Sequence, residues 1–197
     1  MPQILMWLGL NYIELLGALA GIIGVWLTAR QIIWCWPVAL VNVVIYIYVF
    51  FVSKLYADFG LQIFYLFMTL YGWYNWLYGG KNHHHLPVSR ISLIRFLIYF
   101  IIGMPSVFLL GYLLKKYTDA DYPYMDSFVS IWGIIGTYMM AKKIMEHWIL
   151  WIIVDLTCVG IYFFKNLYAT SILYFIFAIL AIYGWQKWHK EFQLQSD

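Results

Sequence analysis

The sequence predicts an all-α integral membrane protein with seven transmembrane helices, arranged as three, one and three, the two triplets lying in parallel orientation. Three observations predict it: a composition foreign to water-soluble domains, seven apolar runs of spanning length, and an internal repeat at constant offset. Of 197 residues, 64% are hydrophobic, 22% aromatic and 11% charged, and the mean hydropathy is +0.77. A soluble domain averages roughly 25% charged residues, so the bilayer is the solvent. Disorder needs low hydrophobicity and high net charge. A nucleic-acid binder needs a basic stripe that a net charge of +3 does not supply.

A helix needs about 20 apolar residues to cross the hydrocarbon core. The first run, Asn11 to Ala29, carries Glu14 and lacks the basic flank and small-residue cleavage site of a signal peptide, so it reads as a span. Arg30-Gln31 separates it from the second, Ile32 to Val52, where Pro37 sits near enough to the start to be a first-turn proline. Ser53-Lys54 precedes the third, Ala57 to Leu77. A polar loop from Gly79 to Ser92 leads to the fourth, Leu93 to Leu114, which Pro105 can bend. After a loop from Lys115 to Pro123 come the fifth, Tyr124 to Ala141, the sixth, His147 to Phe164, and the seventh, Ala169 to Trp188. Cys35 and Cys158 lie far apart in apolar surroundings and read as small buried residues rather than a disulfide.

Adding 112 carries Tyr71-Gly72-Trp73 onto Tyr183-Gly184-Trp185, Trp76 onto Trp188, Trp36 onto Trp148, Leu55-Tyr56-Ala57 onto Leu167-Tyr168-Ala169, and Gly21 and Gly24 onto Gly133 and Gly136. Between Glu14 and Trp76 there are 16 identities in 63 positions, without a gap. Duplication explains this, with three-helix bundles at 11–77 and 124–188 and a linker helix at 93–114. Parallel repeats of this kind place a substrate site near the midplane at the repeat interface, although a purely structural bundle also arises by duplication. Eight basic residues on the side of the C-terminus against four on the other place the C-terminus in the cytoplasm and the N-terminus outside.

Asp155 is the acidic residue in the middle of a span. A mid-depth carboxylate facing lipid costs about 2.5–3.5 kcal/mol, so a retained one faces a cavity and a partner. Trp148, Trp151, Asp155, Cys158 and Tyr162 follow steps of three and four and share a stripe. Indoles, a phenol and an anion on one face suit a flat cation by charge, stacking and cation–π attraction. For Trp148, near the membrane end, an interfacial belt is an equal reading. All twelve lysines and arginines fall in connections or near helix ends, so the countercharge is the substrate, or a proton retained through desolvation. In the first triplet Asn42 and Tyr46 share a stripe on the second span, and Gln62 and Tyr65 one on the third, while Tyr174 is the repeat counterpart of Gln62. Asn42 and Gln62 offer donors and acceptors for hydroxyl or amino groups, or bond to neighbouring helices. The consecutive His83, His84 and His85 lack helical metal-site spacing, so neither metal nor cofactor is expected. No activated nucleophile or phosphate loop points to an enzyme.

The stripe Trp148, Trp151, Asp155 and the segments Leu55–Gln62 and Tyr71–Trp76 resemble the Pnu-type vitamin transporters over nearly the whole chain, from Tyr12 to Trp188. The resemblance implies a fold similar to the SWEET sugar transporters and a bacterial inner membrane. It also implies facilitated diffusion of nicotinamide riboside or, in relatives, thiamine, trapped by a cytoplasmic kinase. It carries substrate-binding roles onto Trp148, Trp151, Asp155, Asn42 and Gln62. Familiar nicotinamide riboside carriers tend to have asparagine where this chain has Asp155, which leaves a thiamine-type member open. A sugar carrier of the same fold and a receptor-like protein are the other readings, and homo-oligomerisation stays open.

Overall fold

A computed structural model describes residues 2–52, 56–80 and 86–196; for 2–15, 56–58 and 196 it describes the backbone alone. The histidines at 83–85, Lys54 and Leu55, and the side chain of Glu14 lie outside the described residues. The described residues form seven helices: α1 (Pro2–Ala29), α2 (Cys35–Val52), α3 (Tyr56–Tyr78), α4 (Leu93–Tyr117), α5 (Pro123–Ala141), α6 (His147–Phe164) and α7 (Tyr168–Ser196). α2, α4, α6 and α7 are long and apolar enough to cross a membrane, and Leu16–Ala29 of α1 is a shorter apolar stretch. α3 and α5 are of spanning length but carry Gln62, Thr69, Asn75, Asp126 and Thr137, the polar content of helices that turn inward. α1 starts nine residues before the predicted run because nothing after Pro2, itself well placed at a first turn, breaks the helix. α7 continues eight residues past Trp188 as a polar extension.

Three helix ends share one device. Gln31, Lys143 and Asn166 adopt φ of 55°, 50° and 59°. At α1, Gln31 N–H bonds Thr28 O (2.9 Å) and Ile32 N–H bonds Leu27 O (2.9 Å); at α5, Lys143 N–H bonds Met140 O (3.0 Å) and Ile144 N–H bonds Met139 O (2.9 Å). These paired bonds satisfy the final carbonyls around a left-handed residue. Gln31 and Lys143 are 112 apart, so the repeat extends to its turn geometry.

Within the triplets α2 packs on α1 and α3, and α6 on α5 and α7; between them α1 meets α7 and α3 meets α5, while α4 lies chiefly against α5. The offset of 112 carries α1·α7 onto α5·α3, so the two cross-triplet contacts are equivalents. α4 seats Gly103 against Trp132 and Gly111 against Tyr124, and exposes Leu93, Ile94, Ile101, Ile102, Phe108 and Leu109 as a lipid-facing surface. Pro37 falls in the first turn of α2 and Pro105 inside α4. Cys35 and Cys158 are buried and free.

The odd-numbered helices end, and α2 and α6 begin, at one end of the bundle, around four buried indoles. Trp36 meets Trp76 edge to face (5.3 Å, 89°) and Trp148 meets Trp188 in the same way (5.7 Å, 86°). Trp36 fills the space over Gly72, and Trp148 the space over Gly184, where a methyl group would lie 2.6 Å from the indole. Trp76 Nε1–H donates to Met140 O (3.1 Å) and Trp188 Nε1–H to Thr28 O (3.2 Å). Subtracting 112 turns the second bond into the first, so the triplets are pinned reciprocally. On the axis between them Lys143 Nζ donates to Gln31 Oε1 (3.1 Å) and lies 4.6 Å from the Trp76 ring centre.

Candidate functional site

Below the indole knot, towards mid-depth, glycines bring the two halves close enough for polar and aromatic side chains to converge. On α1, Gly17 receives the Tyr46 ring, whose Oη lies 3.1 Å from where a methyl group would be, and its carbonyl accepts from Asn42 Nδ2 (2.7 Å). One turn on, Gly21 faces Phe177 (3.1 Å) and Asn42 Nδ2 (3.8 Å). On α5 the repeat-related Gly133 faces Tyr65 Oη (3.0 Å) and the Trp151 ring edge (3.9 Å), and Gly136 faces Trp151 Cε2 (3.4 Å). Phe177 is Tyr65 shifted by 112, so the same notch receives the same ring in each half.

Asp155 is 4% exposed at the middle of α6. It lies within electrostatic reach of Cys158 and Tyr174, and among the described residues it makes no hydrogen bond or ion pair. The described ion pairs are Arg90–Glu146 and Lys165–Asp121, at the ends of the bundle. Tyr174 stacks on Tyr162 (5.2 Å, 12°) and meets Phe177 edge to face (5.8 Å, 84°). Asp155 thus sits where α5, α6 and α7 of one half approach α3 of the other. Its repeat counterpart Val43 is also buried, at 8%, so the two halves offer a carboxyl group and a methyl-rich surface at equivalent depth.

The predicted residues separate into two groups. Trp151, Asp155, Tyr65 and Tyr174 converge around α6, and Asn42 and Tyr46 line the adjoining α1–α2 face, with Asn42 Nδ2 engaged by the Gly17 carbonyl. Gln62 is half-buried and makes no hydrogen bond among the described residues. Trp148 shares their stripe but is placed in the indole knot, 2% exposed, between Gly184, His147 and Trp188. It lies seven residues before Asp155, about 10 Å along the helix, and roofs the site. The residue not singled out in the sequence is Phe177; the signal for it was its repeat relation to Tyr65. Among the described residues no cluster of His, Cys, Asp and Glu has metal-binding proximity.

The nicotinamide mononucleotide transporter family profile matches residues 11–190. The nicotinamide riboside transporter PnuC of Escherichia coli K12 is 26% identical over 204 residues, covering 91% of this chain and 85% of that protein. The riboflavin/roseoflavin transporter RibM of Streptomyces davaonensis is 26% identical over 185 residues, covering 89% and 83%. The crystal structure of the vitamin B3 transporter PnuC superposes with a TM-score of 0.72 at 20% identity, over 91% of this chain and 81% of that one, which establishes the shared fold. The seven-helix fold and the profile spanning both triplets and the linker agree: the chain belongs to the nicotinamide mononucleotide transporter family and is a multi-pass membrane transporter.

Proposed function

We propose that this transporter carries a flat, positively charged vitamin, with nicotinamide riboside first and thiamine second, by facilitated diffusion. The observation that carries the reading is Asp155: a carboxylate buried at mid-helix, without an ionic partner among the described residues, one turn from the Trp151 indole. The pyridinium or thiazolium ring stacks on Trp151, Asp155 balances its charge, and Tyr65 and Tyr174 complete the walls. Asn42 and Gln62 read hydroxyl or amino groups once Asn42 exchanges the Gly17 carbonyl for substrate. The similarity to a nicotinamide riboside carrier supports this choice. The equally similar riboflavin carrier supplies the competing ligand, a neutral isoalloxazine that also stacks on an indole but leaves Asp155 unpaired.

The triplets rock about the site in an alternating-access cycle, with the C-terminus and the indole knot on the cytoplasmic side by the distribution of basic residues. A cytoplasmic kinase makes uptake one-way, because a phosphorylated product brings negative charge to Asp155 and is refused. Purified protein in liposomes is expected to accumulate radiolabelled nicotinamide riboside or thiamine to equilibrium without a proton or sodium gradient. Uptake that strictly requires a gradient contradicts facilitated diffusion, and uptake of riboflavin alone contradicts the cationic substrate.

A further inference from the structure

Away from the transport site, a cavity of ≈ 290 Å³ opens between the first turns of α4 and the last turn of α5, lined by Arg95, Tyr99, Tyr138, Lys142 and Ile144. Neither cation has a carboxylate partner among the described residues. Lys142 lies just past the end of α5, with Nζ 5.1 Å from the Tyr71 ring centre. The Tyr71 phenol beside it raises its pKa and keeps it charged. The exposed Arg95 side chain makes no hydrogen bond among the described residues. Tyr99 and Tyr138 meet edge to face (6.4 Å, 84°) as a wall that carries two phenol groups. Glu146, the acid beside this region, is already held by Arg90 Nε (3.2 Å) and by Ile91 N–H (2.9 Å). Two uncompensated cations and phenol donors around one cavity complement a phosphate group.

A second cavity of ≈ 110 Å³ shares Tyr99 and is otherwise lined by apolar side chains of α4, α5 and α6, Phe96, Trp132, Met139 and Leu150 among them, and by Ile91 and Glu146, whose carboxylate is the one held by Arg90 and the Ile91 N–H. From Met139 back to Trp132 it follows α5 for about two turns, roughly 10 Å towards mid-helix. A cationic cavity at the helix ends joined to an apolar crevice running inward matches an amphiphile with an anionic head and a hydrocarbon tail. Free phosphate uses only the first cavity; an anionic phospholipid uses both. Basic pockets between transmembrane helices on the cytoplasmic side bind such head groups, and the surplus of basic residues marks this end as that side. We propose that Arg95 and Lys142 bind the phosphate of an anionic phospholipid whose acyl chain lies in the crevice between α4, α5 and α6, fastening the linker helix to the second triplet.

The test uses purified full-length protein in neutral detergent, with thermal unfolding and native mass spectrometry read after adding phosphatidylglycerol, phosphatidylcholine or inorganic phosphate. Phosphatidylglycerol is expected to raise Tm and remain bound, while phosphatidylcholine and inorganic phosphate do neither. The double variant Arg95→Gln, Lys142→Gln is expected to lose that gain and to bind phosphatidylglycerol about tenfold or more weakly, given the contribution of each basic residue near a head group. If the double variant does not fold, Arg95→Gln alone, at an exposed side chain, carries the comparison and is expected to lose part of the gain. A full gain from inorganic phosphate, abolished by the variant, overturns the lipid and assigns the cavity to free phosphate. Equal responses to the two lipids, or an undiminished response in the variant, overturn the site itself.

Discussion

Asp155 and Val43 occupy equivalent positions in the two halves and are both buried, yet only one carries an ionisable group. Asp155→Ala removes the carboxyl group and leaves no hydrogen-bonding amide in its place. It is expected to weaken binding of a cationic vitamin by on the order of 3 kcal/mol, about a hundredfold in Kd, the scale of breaking a buried ion pair, while leaving a neutral ligand nearly unaffected. Trp151→Ala is expected to cost about 0.5–2 kcal/mol of cation–π attraction, measurable by ligand titration. Trp148→Phe is expected to lower Tm and to leave Kd nearly unchanged, because Trp148 packs on Gly184 and Trp188 rather than on the site. The helical stripe made Asp155 and Trp151 legible, since step-four spacing fixes a shared face. It did not separate Trp151 from Trp148, because what each indole meets is decided by a glycine on another helix: Gly136 for one, Gly184 for the other.

Helix boundaries were legible where an apolar run met a charge at Ala29–Arg30 and Ala141–Lys142, whereas α4 runs through Lys115 and Lys116 to Tyr117 and α2 starts at Cys35, three residues after Ile32, because the turn around Gln31 takes up the residues between. They were not legible at the outer ends of α1 and α7, where local propensity carries the helix past the spanning segment. Glycine positions separate by what faces them. Gly184→Ala would place a methyl group 2.6 Å from the Trp148 indole and is expected to destabilise by about 1–3 kcal/mol, the usual cost of overpacking. Gly160→Ala meets nothing within 4 Å and is expected to stabilise by about 0.5–1 kcal/mol through helix propensity. Thermal unfolding in one detergent compares the two directly. The turn residue Lys143 adds a pH dependence, because burial lowers its pKa from 10.5 despite the opposing influence of Glu191. An opened knot rehydrates Lys143 and binds its proton more tightly, so the closed form is expected to gain population as pH rises towards 10.5. Crosslinking between the ends of α3 and α5 at pH 8 and pH 10 checks the sign.

Across the whole molecule, duplication has kept the frame and let the lining diverge. Trp36, Trp76, Trp148 and Trp188, the turns at Gln31 and Lys143, and the reciprocal indole bonds to Met140 and Thr28 are shared by both halves. Asp155 and Tyr174 have no chemical counterpart in Val43 and Gln62. This knot closes one end of the bundle, and in the proposed orientation it is the cytoplasmic gate. Trp76→Phe and Trp188→Phe each remove one cross-triplet hydrogen bond worth about 1 kcal/mol. Either is expected to shift the equilibrium towards cytoplasmic opening, seen as faster labelling of a cysteine introduced beside Trp151. The proposed cationic substrate needs the unpaired Asp155 carboxylate as its countercharge. The most direct measurement is an equilibrium titration of intrinsic tryptophan fluorescence with nicotinamide riboside, thiamine and riboflavin, for the native chain and for Asp155→Ala. Saturable quenching by a cationic vitamin that the variant loses is the predicted result; riboflavin binding alone, or cation binding unchanged in the variant, would contradict it.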